Sequence, residues 1–189
     1  MLNVAFIGGI GAGKTTAATY LRDQYGYTTM SFATPIKNTL IDVIHCTEQR
    51  SFERPRNVER MTIEELDIEK RTNPVIRTLM QTIGHELGRE FIGPRSIWCD
   101  YFVNHMPYDQ DLVVDDCRYL NEYYTLKAHD FLFVRITSDE VHEVNHPSEQ
   151  ELRGIEIDWV IDSTIPNFSL ETSIDNFMER MKDNELNDN

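Results

Sequence analysis

Compact apolar runs alternate along the chain with longer stretches whose apolar residues recur every three or four positions. The runs at 2–7, 27–33, 111–116, 131–136 and 158–163 carry Val, Ile, Phe and Thr and predict short, mostly buried strands. Between them, 14–25, 35–46, 96–106, about 119–128 and 170–181 read as helices; Gly26 ends the first and Pro35 opens the second. A longer helix is predicted from Pro74 to about Phe91, with Ile76, Leu79, Met80, Ile83 and Leu87 on one apolar face. Strands alternating with helices predict an α/β fold with a mostly parallel five-stranded sheet covered on both faces. Residues 47–73 break the pattern: they are dense in charge, offer few core candidates, and are expected to form a mobile excursion with a short helix at 62–70. Residues 137–153 read as a polar loop with a helix start, and the tail from Lys182 onward as frayed.

Composition narrows the partners. At 189 residues the chain suits one α/β domain with a small inserted lid, and 40% apolar residues suffice for a core. A net charge of −14 argues against a nucleic-acid partner, because such binding gains affinity by replacing counterions with Lys and Arg. The basic residues are 13 Arg against 5 Lys. That bias leans toward phosphate recognition, although genomic habit accounts for it as readily. Cys46, Cys99 and Cys117 are far apart and odd in number, and read as reduced cytosolic thiols. No basic start precedes the first apolar run and no stretch approaches about 18 apolar residues, so neither a signal peptide nor a membrane span is expected.

Gly8-x4-Gly13-Lys14-Thr15 has the complete spacing of a phosphate-binding loop and lies between a predicted strand and a predicted helix. Glycines let successive amides converge on phosphate oxygens, and the helix N-terminus adds partial positive charge. Gly9, Gly11, Ala12, Gly13 and Thr16 belong to this cradle; Lys14 reaches the β- and γ-phosphates and the Thr15 hydroxyl ligates Mg²⁺. A dinucleotide site would need an acidic residue at the end of the second strand, and "TTMSF" has none. No Asn/Thr-Lys-x-Asp guanine reader is present, and the short length favours a monomeric or homodimeric kinase over a motor ATPase.

Candidates for a second substrate lie elsewhere. Arg77, Gln81, His85 and Arg89 recur at intervals of four on the long helix, either as a ligand-facing stripe or as a solvated polar face. Gly84 and Gly88 in the same helix each cost about 1 kcal/mol relative to Ala and point to a close approach of backbone or ligand. The strand "DLVVDDCR" ends on Asp115 and Asp116, where a carboxylate can hold Mg²⁺ through water or orient a nucleophile; Asp116 could instead cap a helix. Arg118 follows as a cation for a transferring phosphate. His142 and His146 form an i,i+4 pair without a third ligand, so a capping box of Ser148 with Glu151 is the better reading there than a metal site.

Taken together, "GGIGAGKTT", "SFATPIKNTL", "RTLMQTIGHELGRE", "IW", "VVDDCRYLNE", "VRI", "HPSEQEL" and "DWVIDS" occur in an order that resembles the deoxynucleoside monophosphate kinases of tailed bacteriophages, within the nucleoside monophosphate kinase and dephospho-CoA kinase group. The resemblance implies a three-layer α/β/α P-loop kinase whose nucleotide-monophosphate-binding and lid segments are mobile, with ATP and Mg²⁺ as cofactors and a small-molecule nucleoside monophosphate as partner. It implies a core at 1–34, 107–136 and 154–182, a binding region at about 35–106 and a lid at about 137–153. It places Lys14, Asp115 and Arg118 in catalysis, with Thr15 and Asp115 at the metal. Lys37, Arg77, Gln81, Arg89, Trp98 and Arg118 would serve the acceptor, and Asn121, Glu122, His146, Ser148 and Glu149 the substrate side or lid. The cytoplasm, of the host for a phage protein, is the implied location.

The lid stretch "TSDEVHEVN" carries no closing arginine, a role for which Arg135 and Arg153 are the substitutes at hand. Arg50, Arg54, Arg56 and Arg60 alternate with glutamates and are expected to form a salt-bridged surface. The rivals are dephospho-CoA kinase, a phage kinase acting on modified bases in DNA, and a P-loop protein that holds ATP without transfer.

Overall fold

The structure, a computed structural model, describes residues 1–49, 59–84, 97–137, 151–165 and 168–187. Its strands are β1 (Asn3–Ile7), β2 (Thr28–Met30), β3 (Leu112–Val114), β4 (Phe131–Thr137) and β5 (Trp159–Asp162). All pair in parallel, in the order β2-β3-β1-β4-β5, with Val4 opposite both Val113 and Leu132. The helices are α1 (Lys14–Tyr25), α2 (Thr34–Gln49), α3 (Ile63–Thr72), α4 (Pro74–Gln81), α5 (Ile97–Asn104), α6 (Leu120–Lys127) and α7 (Leu170–Asn187). This is an α/β fold consistent with a P-loop kinase.

The chain divides into two compact units, Met1–Ser31 with His105–Asn189, and Phe32–Asn104. In the first, successive strand residues face opposite sides of the sheet. Val4, Phe6, Val134 and Ile136 pack with Ala17, Leu21, Ile174 and Phe177 of α1 and α7. Phe133 points the other way, its ring 4.5 Å from that of Tyr123 on α6. The sheet thus lies between α1 and α7 on one side and α6 on the other, three layers in all. Residues of β1 and β3 that are buried from both sides explain why these strands read as continuous apolar runs.

The outer layer is also held by polar contacts. Tyr20 and Tyr25 on α1 both donate to the Asp175 carboxylate of α7, at 3.0 and 2.7 Å. Burial, then the bond to Asp175, pushes the Tyr25 phenol from 10.0 up to about 12. A raised folded-state value favours the neutral form. The stability it contributes is therefore complete below pH 10 and lost as the pH climbs from 10 to about 12. Tyr25→Phe is expected to flatten the fall in stability across that window, measured by urea denaturation at pH 9 and 11.5; an equal fall in both proteins would refute the assignment.

The second unit has its own core of Leu40, Ile41, Leu66 and Ile76, with Ile44, Met61, Ile63, Met80 and Ile83 packed around it. Within the charged stretch 47–73 the short helix expected at 62–70 is present as α3. The expectation of a mobile excursion with few core candidates is corrected over 59–73, which contributes Met61, Ile63 and Leu66 to this core. α3 is capped by Thr62 and Glu65, which satisfy each other's backbone amides, and its Leu66 is fully buried. Residues 50–58 lie outside those described, so of the charged arginines only Arg60 can be placed, and it pairs with Asp42 at 2.7 Å rather than with a glutamate. Two helix ends also differ. Pro74–Gln81 passes into a π-helical turn over 82–84, and the expected continuation to Phe91 lies outside the described residues. Leu79, expected on the apolar face, is 41% exposed. At the C-terminus, α7 continues to Asn187 where a frayed tail was expected, since neither Gly nor Pro interrupts it.

Candidate active site

The loop after β1 has the geometry its glycines require. A Cβ on Gly8 would lie 2.5 Å from the Ile136 carbonyl oxygen of β4, so only glycine passes this close to the neighbouring strand. Gly11 and Gly13 have φ of 86° and 93°, the left-handed region that a side chain disfavours. Gly13 caps α1, whose first turn holds no acidic residue to compete for an anion. The Lys14 ammonium folds over the loop and donates to the Gly8 and Gly9 carbonyls at 2.6 and 2.7 Å. Gly8→Ala is expected to cost about 2 kcal/mol of stability in urea denaturation, because the obstructing atom is backbone; an unchanged midpoint would contradict the close approach.

Sheet topology brings the next residues together. The chain leaves β1 toward β2 and leaves β3 toward β4 on the other side of β1, so the C-terminal ends of β1 and β3 flank the crevice where parallel sheets bind ligands. There the Thr15 hydroxyl donates to the Asp115 carboxylate at 2.5 Å, across 100 residues of sequence. Hard oxygen donors of this kind, next to a phosphate cradle, fit Mg²⁺. Beside them the Ser31 hydroxyl donates to Asp116 at 2.6 Å. The alternative that Asp116 caps α6 is not what the structure shows, since Tyr119 occupies the N-cap. Arg118 is exposed, and its guanidinium makes no hydrogen bond or ion pair among the described residues.

Other candidates have local partners. The buried Glu122 carboxylate accepts from the amides of Arg118 and Tyr119 at 2.7 and 3.1 Å. Asn121 stands beside it in the first turn of α6. Arg135 donates to the Leu152 carbonyl at 3.2 Å, so it anchors the turn at Leu152–Gly154. In the second unit, Lys37 meets Asp67 at 2.7 Å, and Lys70 takes the other oxygen of the same carboxylate at 2.9 Å. Burial works against the Asp67 charge, but the two lysine hydrogen bonds outweigh it and hold its carboxyl below the ordinary range. Arg77 and Gln81 lie exposed on α4, neither engaged by another described side chain. The Trp98 indole donates to the Gly84 carbonyl at 2.8 Å, and a Cβ on Gly84 would come within 3.0 Å of Ile36. The close approach expected at Gly84 is therefore made by a neighbouring helix. His85, Gly88, Arg89, His142, His146, Ser148 and Glu149 lie outside the described residues.

Sequence reasoning missed Ser31 and Asp67. The first opens the "SFATPIKNTL" stretch just after β2 but was assigned no role of its own, and the second was hidden in the charged run. Cys46, Cys99 and Cys117 form no disulfide among the described residues. Among the described residues no cluster of three metal-ligating side chains occurs, and no helix is long and apolar enough to cross a membrane.

No family model matches the chain. It is similar to one viral protein along nearly its whole length. That protein, from Acanthamoeba polyphaga mimivirus, is provisionally named a deoxynucleotide monophosphate kinase. The two are 27% identical over 184 residues, which covers 89% of this chain and 92% of the relative.

Proposed function

We propose that the chain is an ATP-dependent kinase that converts deoxynucleoside 5′-monophosphates to diphosphates and so feeds DNA synthesis. The observation that carries this reading is the junction of Thr15, in the first turn of α1, with Asp115 at the end of β3, directly beside the Lys14 cradle. The relative's name and the ordered motifs support the choice of acceptor.

In this reading an oxygen of the acceptor monophosphate attacks the γ-phosphorus of ATP. The bond to the β–γ bridging oxygen breaks, and ADP leaves with that electron pair. The attacking oxygen is already anionic, so no general base is needed and catalysis is positioning and charge neutralisation. The loop amides and the α1 N-terminus bind the triphosphate. Lys14 exchanges the Gly8 and Gly9 carbonyls for β- and γ-phosphate oxygens, and Arg118 neutralises the moving phosphoryl. Thr15 and Asp115 would hold Mg²⁺, which when bound supplies further charge neutralisation at the phosphates. Lys37, Arg77, Gln81 and Trp98 serve the acceptor.

An ADP-release screen across the four deoxynucleoside monophosphates, their ribonucleotide counterparts and dephospho-CoA tests the proposal. Turnover with at least one deoxynucleotide is expected. Activity on dephospho-CoA alone would replace it with that kinase, and ATP binding without transfer would make the chain a binding protein.

A further inference from the structure

Three successive amides at the start of α6 end on carboxylates. Glu122 accepts from Arg118 and Tyr119, and Glu151 accepts from Leu120 at 3.3 Å. In an ordinary capping box the third-position glutamate reaches back to the N-cap amide from the helix surface. Glu122 does more: it also holds the amide before the cap, which is that of Arg118, and it does so from inside the protein. Its exposure is 2%, and among the described residues it is the one charged side chain that is buried. A carboxylate taken out of water is costly unless hydrogen bonds compensate its charge, so a neutral residue would cap the helix at less cost.

What the buried charge secures is the loop between β3 and α6. Thr15 ties that loop at Asp115, Ser31 ties it at Asp116, and Glu122 ties it at Arg118 and Tyr119. The Arg118 amide is thus fixed on Glu122, while its guanidinium stays exposed and clear of ion pairs with described residues. We propose that Glu122 is a positioning residue for Arg118, acting through the backbone rather than by touching nucleotide. This rests on the kinase reading, in which Arg118 meets the transferring phosphoryl group. Held at its own amide, the arginine starts each turnover already oriented, which matters because misplacement by about 1 Å costs about a hundredfold in rate.

A double-mutant cycle on the full chain separates this role from simple helix capping. Glu122→Gln keeps the shape and removes the charge, and Glu122→Asp keeps the charge one methylene short. Each is combined with Arg118→Ala, and kcat, KM for ATP and Tm are measured for every protein with the preferred monophosphate. With Arg118 present, Glu122→Gln is expected to lower kcat about tenfold with KM for ATP unchanged, and Glu122→Asp to fall between it and the parent. In the Arg118→Ala background both are expected to change kcat less than about twofold, while their effects on Tm persist. Equal losses in both backgrounds, or no loss in either, would overturn the inference and leave the kinase reading standing. A parent protein that transfers no phosphate would overturn that reading, and the inference with it.

Discussion

Lys14→Met is expected to lower kcat about a thousandfold, equivalent to about 4 kcal/mol of transition-state stabilisation. The ammonium is placed by α1 and by the Gly8 and Gly9 carbonyls, at 2.6 and 2.7 Å. Methionine has nearly the same length but neither charge nor donors, so the loop keeps its packing while losing its cation. The same substitution is expected to move Tm by less than about 5 °C, since the side chain is half-buried and lies outside the apolar core. Lys14→Arg should recover little, because a planar fork does not fit where a compact point charge bridges two carbonyls. ADP-release kinetics and a thermal melt decide it. Near-normal turnover in Lys14→Met would remove the residue from the mechanism.

The largest loss of stability is expected in the core of the Phe32–Asn104 unit. Leu66→Ala should destabilise the Phe32–Asn104 unit by about 3 kcal/mol, the cost of deleting a fully buried Leu whose neighbours collapse only in part. Leu66 lies in the cluster with Leu40, Ile41 and Ile76, and so joins α3 to α2 and α4. The two tryptophans divide between the units, Trp98 in one and Trp159 in the other. A Trp159→Phe background therefore leaves Trp98 as sole reporter of the unit affected. Its fluorescence transition in urea should shift to clearly lower denaturant in Leu66→Ala; an unchanged midpoint would mean that α3 adds no core.

Local spacing alone determined the strands, the phosphate loop and the order of the helices. Each is a short-range property: a run of β-branched and aromatic residues, a glycine at a fixed offset from Lys14, a Pro or Gly at a helix end. The exposure of Leu79 and the packing of Leu66 were not legible in that way. A charged run such as 59–73 hides one buried leucine, and whether a helix face is covered depends on which partner arrives there. The site divides along the same line. The loop glycines, Lys14 and Thr15 make the proposed phosphate site legible from sequence, because the backbone conformation they demand is local. Only the tertiary structure brought Thr15 to Asp115 and Ser31 to Asp116, since parallel pairing of β1, β2 and β3 sets strand ends together that lie some 85 to 100 residues apart in the chain. It also turned Glu122 inward, onto the amide of Arg118, which no spacing rule specifies.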